Sequence, residues 1–407
     1  MRCLIITNHF FPESFRVNDI AFELARKGND VTVLTAIPDY PKGKFFDGYG
    51  YFKKRIERVN GVKVVRAAVI PRGNGSAMRM VMNYLSVIVS FTLRGLWMAL
   101  AGKYDYVFIH DTSPAFIIGA GVVVKKVKRV PLDVWILDMW PESLAAGGIS
   151  NPKIYGVVQR MMDSFYRHSD ILHISSHGFR KFLNARGVDD DKIRYLPNWA
   201  DSVMQRGGDG SAKIPPMPKG RIIMFAGNLG YAQNLENVLK AAELTHEHKD
   251  LHWVFVGDGR KRPWMDEFVK KRHLEDTVHL LGRYPIETMP YFFARADIML
   301  VSLSNKPVLN ITLPAKVQAY MAGAKPIIAM MNGEGHDIIE DANCGFAIGA
   351  DDVEGMADAA TRILYIDKES LDRLGQNSLE YYNAHFSKEV CMAEISGCMA
   401  QLLGHAR

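Results

Sequence analysis

The sequence predicts an α/β protein built from two parallel-sheet domains, and three observations carry that prediction. Short apolar runs alternate with helical stretches along the whole chain, the pattern of strands joined by crossover helices. The runs fall into two series separated by a Gly- and Pro-rich stretch. With 407 residues the chain is too long for one ordinary core and splits naturally into two of about 200 residues.

The first series opens with MRCLIITNHFFPE, where the apolar run meets polar residues within a few positions. That reads as a buried first strand at 3–7 and not as a secretory signal. Val17 to Lys27 has helical periodicity and stops at Gly28, as a helix C-terminus should. Further strands are expected at 31–35, 106–110, 132–137 and 171–175, each a continuous apolar run of strand length. Between them, Met80 to Leu100 is nearly long enough to span a membrane but is broken by Asn83, Arg94 and Gly95. A core helix of the first domain and an interfacial helix dipping into one leaflet are both open readings of this segment.

From about Asp201 to Lys219 apolar periodicity fades and Gly and Pro accumulate, the signature of a linker. Strands of the second series are expected at 221–227, 253–257, 278–282, 298–302 and 326–330, each leading into a Gly or polar turn. The last stretch, from about Asn377, is expected to be helical. Ligands of open α/β sheets bind beyond the carboxyl ends of the strands, so function is sought in the residues just after each one.

Composition bounds the chemistry. Hydrophobic residues make up 48% and charged residues 23%, with no low-complexity tract, which excludes a disordered chain. Cys3, Cys344, Cys391 and Cys398 have neither zinc-site spacing nor disulfide density, and a reducing cytoplasm fits them. A net charge of +6 favours anionic partners such as nucleotide phosphates or acidic lipid headgroups. Nucleic acid is the weakest of these, because the basic clusters at 53–55, 125–129 and 270–272 lack interleaved aromatic residues.

Four loops hold the candidate chemistry. GNLGYAQN follows the strand at 221–227 and precedes a helix starting near Leu235. Small residues there let backbone amides approach an anion, making Gly227, Asn228, Gly230 and Gln233 candidate diphosphate contacts or simply a tight turn. GDGRKRPW follows the next strand, with Gly257, Asp258, Gly259 and Arg260 as a second polar turn. Neither loop is a GxGxxG fingerprint, which disfavours a nicotinamide enzyme. In LPAKVQAYMAGAKPIIA, Lys316 stands near a helix start, where an ammonium could neutralise a departing diphosphate. In the first series, His110 and Asp111 end the strand at 106–110 and are rival candidates for a catalytic contact with a substrate hydroxyl, or a structural pair. Asp138, Asn18 and Asp19 occupy similar loop positions. HExxH, GxxxxGK[ST] and GxSxG are all missing from the sequence, so metal-free transfer is the simplest remaining chemistry.

The segments NHFFPESFRVNDIAFELARKGNDVTVLTAIPDYPKG, IPRGNGS, LDMWPES, LPNWAD, FAGNLGYAQNL, GDGRK, LLGRYP, LPAKVQAYMAGAKPIIAM and NGEG resemble, in order, the GT-B glycosyltransferases of family 4. They are most similar to the WbuB-type branch, associated with N-acetyl-L-fucosamine transfer in O-antigen and capsule assembly. The resemblance implies a GT-B fold, two Rossmann-like domains facing across a cleft. An acceptor-binding domain would span 1–202, with a C-terminal helix at about 383–407 crossing back to it, and a nucleotide-sugar-binding domain would span 203–382. It implies retention of anomeric configuration, a UDP-sugar donor with no other cofactor and no metal, and a polyprenyl-diphosphate-linked sugar as acceptor. The expected location is the cytoplasmic, inner face of the cell membrane, held peripherally.

Residue by residue, the resemblance places Gly227 to Gln233 beside the diphosphate, Gly257 to Arg260 and Arg283 near the nucleoside, Lys316 on the phosphates and Glu334 by the sugar or ribose. Arg16, Asn18 and Asp138 would contact the acceptor. The sequence departs from the family at several positions. Ile311 and Ala319 stand where the wider family has two glutamates, Asn228 and Gln233 stand where it often has Arg and Lys, and HDTSP replaces the branch's EPSP. A nucleotide-sugar 2-epimerase of the same architecture and a non-catalytic donor-binding subunit are the alternative readings.

Overall fold

A computed structural model of the chain describes residues 1–73, 75–146, 151–205 and 214–405. They form two compact units, Met1–Leu196 joined by Met392–Arg407, and Pro197–Cys391. Asp201–Gln205 begins the expected linker; 206–213 lie outside the described residues, as does the end of the C-terminal segment at 406–407.

The first unit contains strands β1 (Arg2–Thr7), β2 (Asp30–Ala36), β3 (Ile56–Val59), β4 (Val62–Ala67), β5 (Tyr106–Asp111), β6 (Leu132–Ile136), β7 (Ile171–Ile174) and β8 (Ile193–Tyr195). Their order in the sheet is β3-β4-β2-β1-β5-β6-β7-β8. Every pairing is parallel except β3 with β4. β5, β6 and β7 are buried along their whole length, as strands covered by helices on both faces must be. The C-terminal helix Lys388–His405 joins this unit from Met392 onward.

The second unit contains β9 (Arg221–Ala226), β10 (Leu251–Val256), β11 (Val278–Gly282), β12 (Ile298–Ser302), β13 (Ile327–Met330) and β14 (Gly345–Ile348), ordered β11-β10-β9-β12-β13-β14 and parallel throughout. Leu235, Val238, Trp253, Phe255, Ile298 and Met356 anchor its core. The two Rossmann-like, parallel-sheet domains and the C-terminal helix match the predicted fold class.

Strands β3, β4, β8 and β14 were not among the expected runs. β4 is the instructive one, because VKVVRA reads as an apolar run broken by charge. Arg66 is nevertheless fully buried. Its guanidinium donates to the carbonyl of Phe11 at 2.8 Å, pairs with Glu57 and lies 4.8 Å from the Tyr49 ring centre, and a buried charge is tolerated only with such partners.

The segment read two ways in the sequence is one helix, Ala77–Ala101. Val87, Phe91, Gly95 and Met98 face inward. Gly95 has no side chain because a Cβ would sit 3.1 Å from the Cβ of Ala120 on the helix Ile118–Lys128. The opposite face exposes Met78, Val81, Leu85, Val89, Leu93, Leu96, Trp97 and Leu100, a stripe at helical spacing.

Candidate functional site

In the second unit the two glycine loops after β9 and β10 interlock. Leu229 N donates to Asp258 O at 2.9 Å and Lys261 N donates to Leu229 O at 2.9 Å. Gly257 has φ +152°, and a Cβ there would lie 1.8 Å from the carbonyl oxygen of Gly227. Only glycine fits such an approach. A Cβ at Gly259 would lie 2.4 Å from the Leu229 carbonyl, and one at Gly230 would meet the Asn228 side chain at 2.7 Å. The sequence therefore marked both loops, and the structure brings Gly227, Asn228, Gly230, Gly257, Asp258 and Gly259 together at adjacent strand ends.

Lys316 is the second residue of the helix Ala315–Ala322. It lines a cavity of about 770 Å³ at the carboxyl ends of the second unit's strands, with Ala226, Gly227, Arg283, Tyr284, Met289, Phe293 and Tyr320. The Nζ donates to Gln233 Oε1 and stands 4.0 Å from the Phe225 ring centre. It keeps a partial opening to the cavity, yet the surrounding protein desolvates it and lowers its pKa to about 7. Tyr320 fixes the end of β9 by donating to Ala226 O at 3.1 Å and accepting from Ala226 N at 3.0 Å.

Glu334 opens the helix Glu334–Asp341. Its neighbour Gly333 (φ +78°) packs on the Asn310 carbonyl, and a Cβ at Gly335 would touch Pro314 at 3.3 Å, so the starts of the Glu334 and Lys316 helices adjoin. Arg260 and Arg283 are exposed, Arg283 at the cavity rim. Phe225, Tyr284, Phe293 and Tyr320 were not anticipated as part of this site. Their apolar character hides them among core residues, so no sequence signal sets them apart.

In the first unit the structure separates the expected residues. His110 and Asp111 still belong to β5, which runs one residue further than expected, and both are buried, at 1% and 0% exposure. His110 Nδ1 donates to Thr7 Oγ1 at 3.0 Å, and the ring packs edge-on against Trp135. Burial, with His9 adding repulsion, lowers its pKa to about 3. Asp111 has no hydrogen-bond partner on either carboxyl oxygen among the described residues. Burial, then the nearby Asp138, pushes its pKa well up, so both groups are neutral inside the sheet. Asp138 is half-buried and also raised by burial. Asn18 donates to Glu13 O at 2.7 Å, and Arg16 begins the helix Arg16–Arg26.

The polar groups nearer the surface are ones the sequence reading passed over. Glu13 accepts from the backbone N–H of Asp39 at 2.9 Å and Tyr40 at 2.7 Å, and from His9 Nδ1 at 3.1 Å. His9 stacks on Phe15 with ring centres 4.8 Å apart. Asp39 accepts from Arg72 N at 3.4 Å, and Arg72 donates to Ser113 O at 2.6 Å. The loops after β1, β2, β4 and β5 are thereby tied into one cluster. The available signal was the NHFFPE segment directly after the first strand.

Comparison with known proteins gives the following. The family described as "Glycosyl transferase 4-like domain" matches residues 14–199, and "Glycosyl transferases group 1" matches residues 220–365. The chain is 24% identical over 348 residues to a probable glycosyltransferase, WbjE, of Pseudomonas aeruginosa, covering 83% of this chain and 84% of that one. It is 22% identical over 339 residues to a putative colanic acid biosynthesis glycosyl transferase, WcaI, of Escherichia coli K12, covering 79% and 81%. Among solved structures, sucrose-phosphate synthase of Thermosynechococcus elongatus superposes with a TM-score of 0.73 at 16% identity, covering 99% of both chains. Anabaena Alr3699/HepE in complex with UDP superposes with a TM-score of 0.72 at 14% identity, covering 98% of this chain and 100% of that one.

Proposed function

We propose, proceeding from the fact that this chain belongs to the GT-B glycosyltransferases of family 4, that it transfers a sugar from a UDP-sugar to a lipid-diphosphate-linked sugar in the assembly of a surface polysaccharide. The observation that carries the donor half is the cavity of the second unit. A desolvated ammonium, Lys316, stands there beside Gly227, where two glycine loops interlock at adjacent strand ends. Such a cation is worth more to a group whose charge is growing than in water. The neighbour solved with UDP supports that nucleotide as the donor's. The colanic acid relative supports polysaccharide synthesis. An N-acetylated deoxy sugar such as N-acetyl-L-fucosamine, as in the WbuB-type branch, is the donor sugar proposed for the first trial.

The reaction proposed is front-face transfer with retention. The acceptor hydroxyl oxygen bonds to the anomeric carbon while the bond from that carbon to the β-phosphate oxygen breaks. Its electrons leave with UDP, and the hydroxyl proton passes to the departing phosphate. Lys316, the amides of the Gly227 and Gly257 loops and Arg283 would hold the diphosphate, and Glu334 would face the sugar or ribose. Arg16, Asn18 and Asp138, with the His9, Glu13 and Asp39 cluster beside them, are proposed on the acceptor side. Because His110 and Asp111 are held neutral within β5, their proposed part is to shape that side from beneath.

A peripheral location on the inner membrane face is proposed from the helix Ala77–Ala101. Its outward stripe runs the length of the helix, with Leu85 at 58%, Leu93 at 62% and Leu100 at 69% exposure. Arg94 lies 5.0 Å from the Trp97 ring on the same helix. An apolar face with cationic and aromatic borders suits an anionic headgroup boundary. The epimerase alternative is not favoured, since the matching families and relatives are glycosyltransferases.

Purified protein incubated with a panel of UDP-sugars, with and without a polyprenyl-diphosphate-linked sugar, tests the reading. UDP release that depends on the acceptor, together with a lipid product heavier by one sugar, is the expected result. Release without acceptor, or none with any donor, would reject it.

A further inference from the structure

We infer that the first unit carries a zinc-type metal site, formed by His173, Glu394 and Cys398, that clips the C-terminal helix onto the sheet. Glu394 and Cys398 are four residues apart on the helix Lys388–His405 and so share one face, a turn apart. His173 projects from β7. One ligand atom from each, an imidazole nitrogen, a carboxylate oxygen and the thiol sulfur, lies within 4.8 Å of the other two.

What singles out this cluster is an unused nitrogen. His173 is completely buried, and its Nε2 donates to Asp133 Oδ2 at 3.1 Å. That oxygen also accepts from the Tyr106 hydroxyl at 2.5 Å. Nδ1 of the same ring has no hydrogen-bond partner among the described residues. A carboxylate that fixes one imidazole nitrogen and leaves the other bare and basic is the usual support of a metal-bound histidine. The hydrogen bond from Cys398 Sγ to Glu394 Oε1 at 3.3 Å satisfies the thiol but does nothing for Nδ1. The cluster of His9, Glu13 and Asp39 also brings three ligand atoms within 4.8 Å. Its Glu13 oxygens are already engaged by two backbone amides and by His9, so that cluster is complete without an ion.

The donor set selects the metal. Nitrogen, sulfur and one carboxylate oxygen suit zinc, whereas magnesium and calcium take oxygen ligands. Zinc bonds of about 2.0–2.3 Å put tetrahedral ligand atoms roughly 3.3–3.8 Å apart, a spacing that Cys398 Sγ and Glu394 Oε1, 3.3 Å apart, already have. A water would complete the shell. On binding, the Zn–S bond forms and the Cys398 thiol proton leaves to solvent. The site stands apart from the proposed transfer chemistry, because every residue lining the donor cavity belongs to the second unit.

The test is metal content measured by mass spectrometry on full-length protein prepared without a metal-affinity tag, followed by titration of stripped protein with zinc against a chromogenic chelator. About one zinc per chain is expected, with a higher Tm for the zinc-loaded than for the stripped protein. Cys398→Ser and the half-exposed Glu394→Gln should each weaken zinc binding at least tenfold, while Cys344→Ser in the second unit should bind as the parent does. Failure of the stripped protein to bind zinc at micromolar concentration, or unchanged binding in both Cys398→Ser and Glu394→Gln, would overturn the assignment. Glu394→Gln keeps the test readable should Cys398→Ser not fold.

Discussion

Lys316 holds its ammonium 4.0 Å from the centre of the Phe225 ring and donates to the side-chain oxygen of Gln233, the residue standing where the family often has a phosphate-binding lysine. The cation reaches that place from a different helix, and burial lowers it to about 7. Nucleotide phosphates would raise its pKa again by stabilising the charged form. UDP affinity should therefore fall as pH rises through about 7. Lys316→Met should weaken UDP binding by roughly 10- to 100-fold, the range of a lost charge-assisted hydrogen bond. Calorimetric titration at pH 6 and pH 8 reads both effects, and a pH-independent affinity in the parent would contradict them.

The same shift acts on stability with a definite sign. The unfolded chain keeps the Lys316 proton up to about pH 10.5, whereas the folded chain releases it from about pH 7. Between these values the unfolded state binds more protons, so this residue's contribution makes the protein more stable as pH rises through the window. Urea denaturation at pH 7 and pH 9 should show a larger gain for the parent than for Lys316→Met. Equal gains would mean that the ammonium is better solvated than its surroundings indicate.

His110 predicts an acid-side effect. Its pKa falls from 6.5 to about 3 on folding, so the unfolded state takes up a proton first. Stability is complete above about pH 6.5 and is lost progressively towards pH 3, by an amount on the order of 5 kcal/mol. Asp111 and Asp138, whose pKa values are raised, act in the opposite direction there, so the comparison must be with His110→Phe. The variant's denaturation midpoint should fall less than the parent's between pH 6.5 and pH 4; parallel curves would refute the assignment.

Gly257→Ala places a Cβ 1.8 Å from the Gly227 carbonyl oxygen at a backbone φ of +152°. Strain of that kind costs about 2–4 kcal/mol and displaces both glycine loops. UDP binding should drop with stability, whereas Gly156→Ala, inside the helix Pro152–His168 where an added Cβ meets nothing within 4 Å, should leave UDP binding unchanged and raise stability by up to about 1 kcal/mol.

Leu85→Glu combined with Leu93→Glu changes two exposed positions on the helix Ala77–Ala101, so stability should move by no more than about 0.5 kcal/mol each. Cosedimentation with anionic vesicles should be lost, and the parent's should persist at high salt because apolar insertion is not screened. A parent that never cosediments would remove the membrane proposal.

The amino-acid sequence alone determined the alternation of buried strands and helices, the division into two domains and the glycine loops after β9 and β10, because each is a short-range pattern of apolar runs and small residues. It also led to the family, through motifs spread along the chain. Tertiary structure decided the rest. Arg66 is tolerated in a buried strand because Glu57 and the Phe11 carbonyl meet it, and β5 runs on through Asp111 because β6 pairs with it there, opposite Ile136. The lowered pKa of Lys316 depends on the protein that buries it, and the orientation of the His173 ring depends on Asp133, forty residues away. Desolvation, close backbone approach and coordination arise between residues distant in sequence, where no local pattern records them.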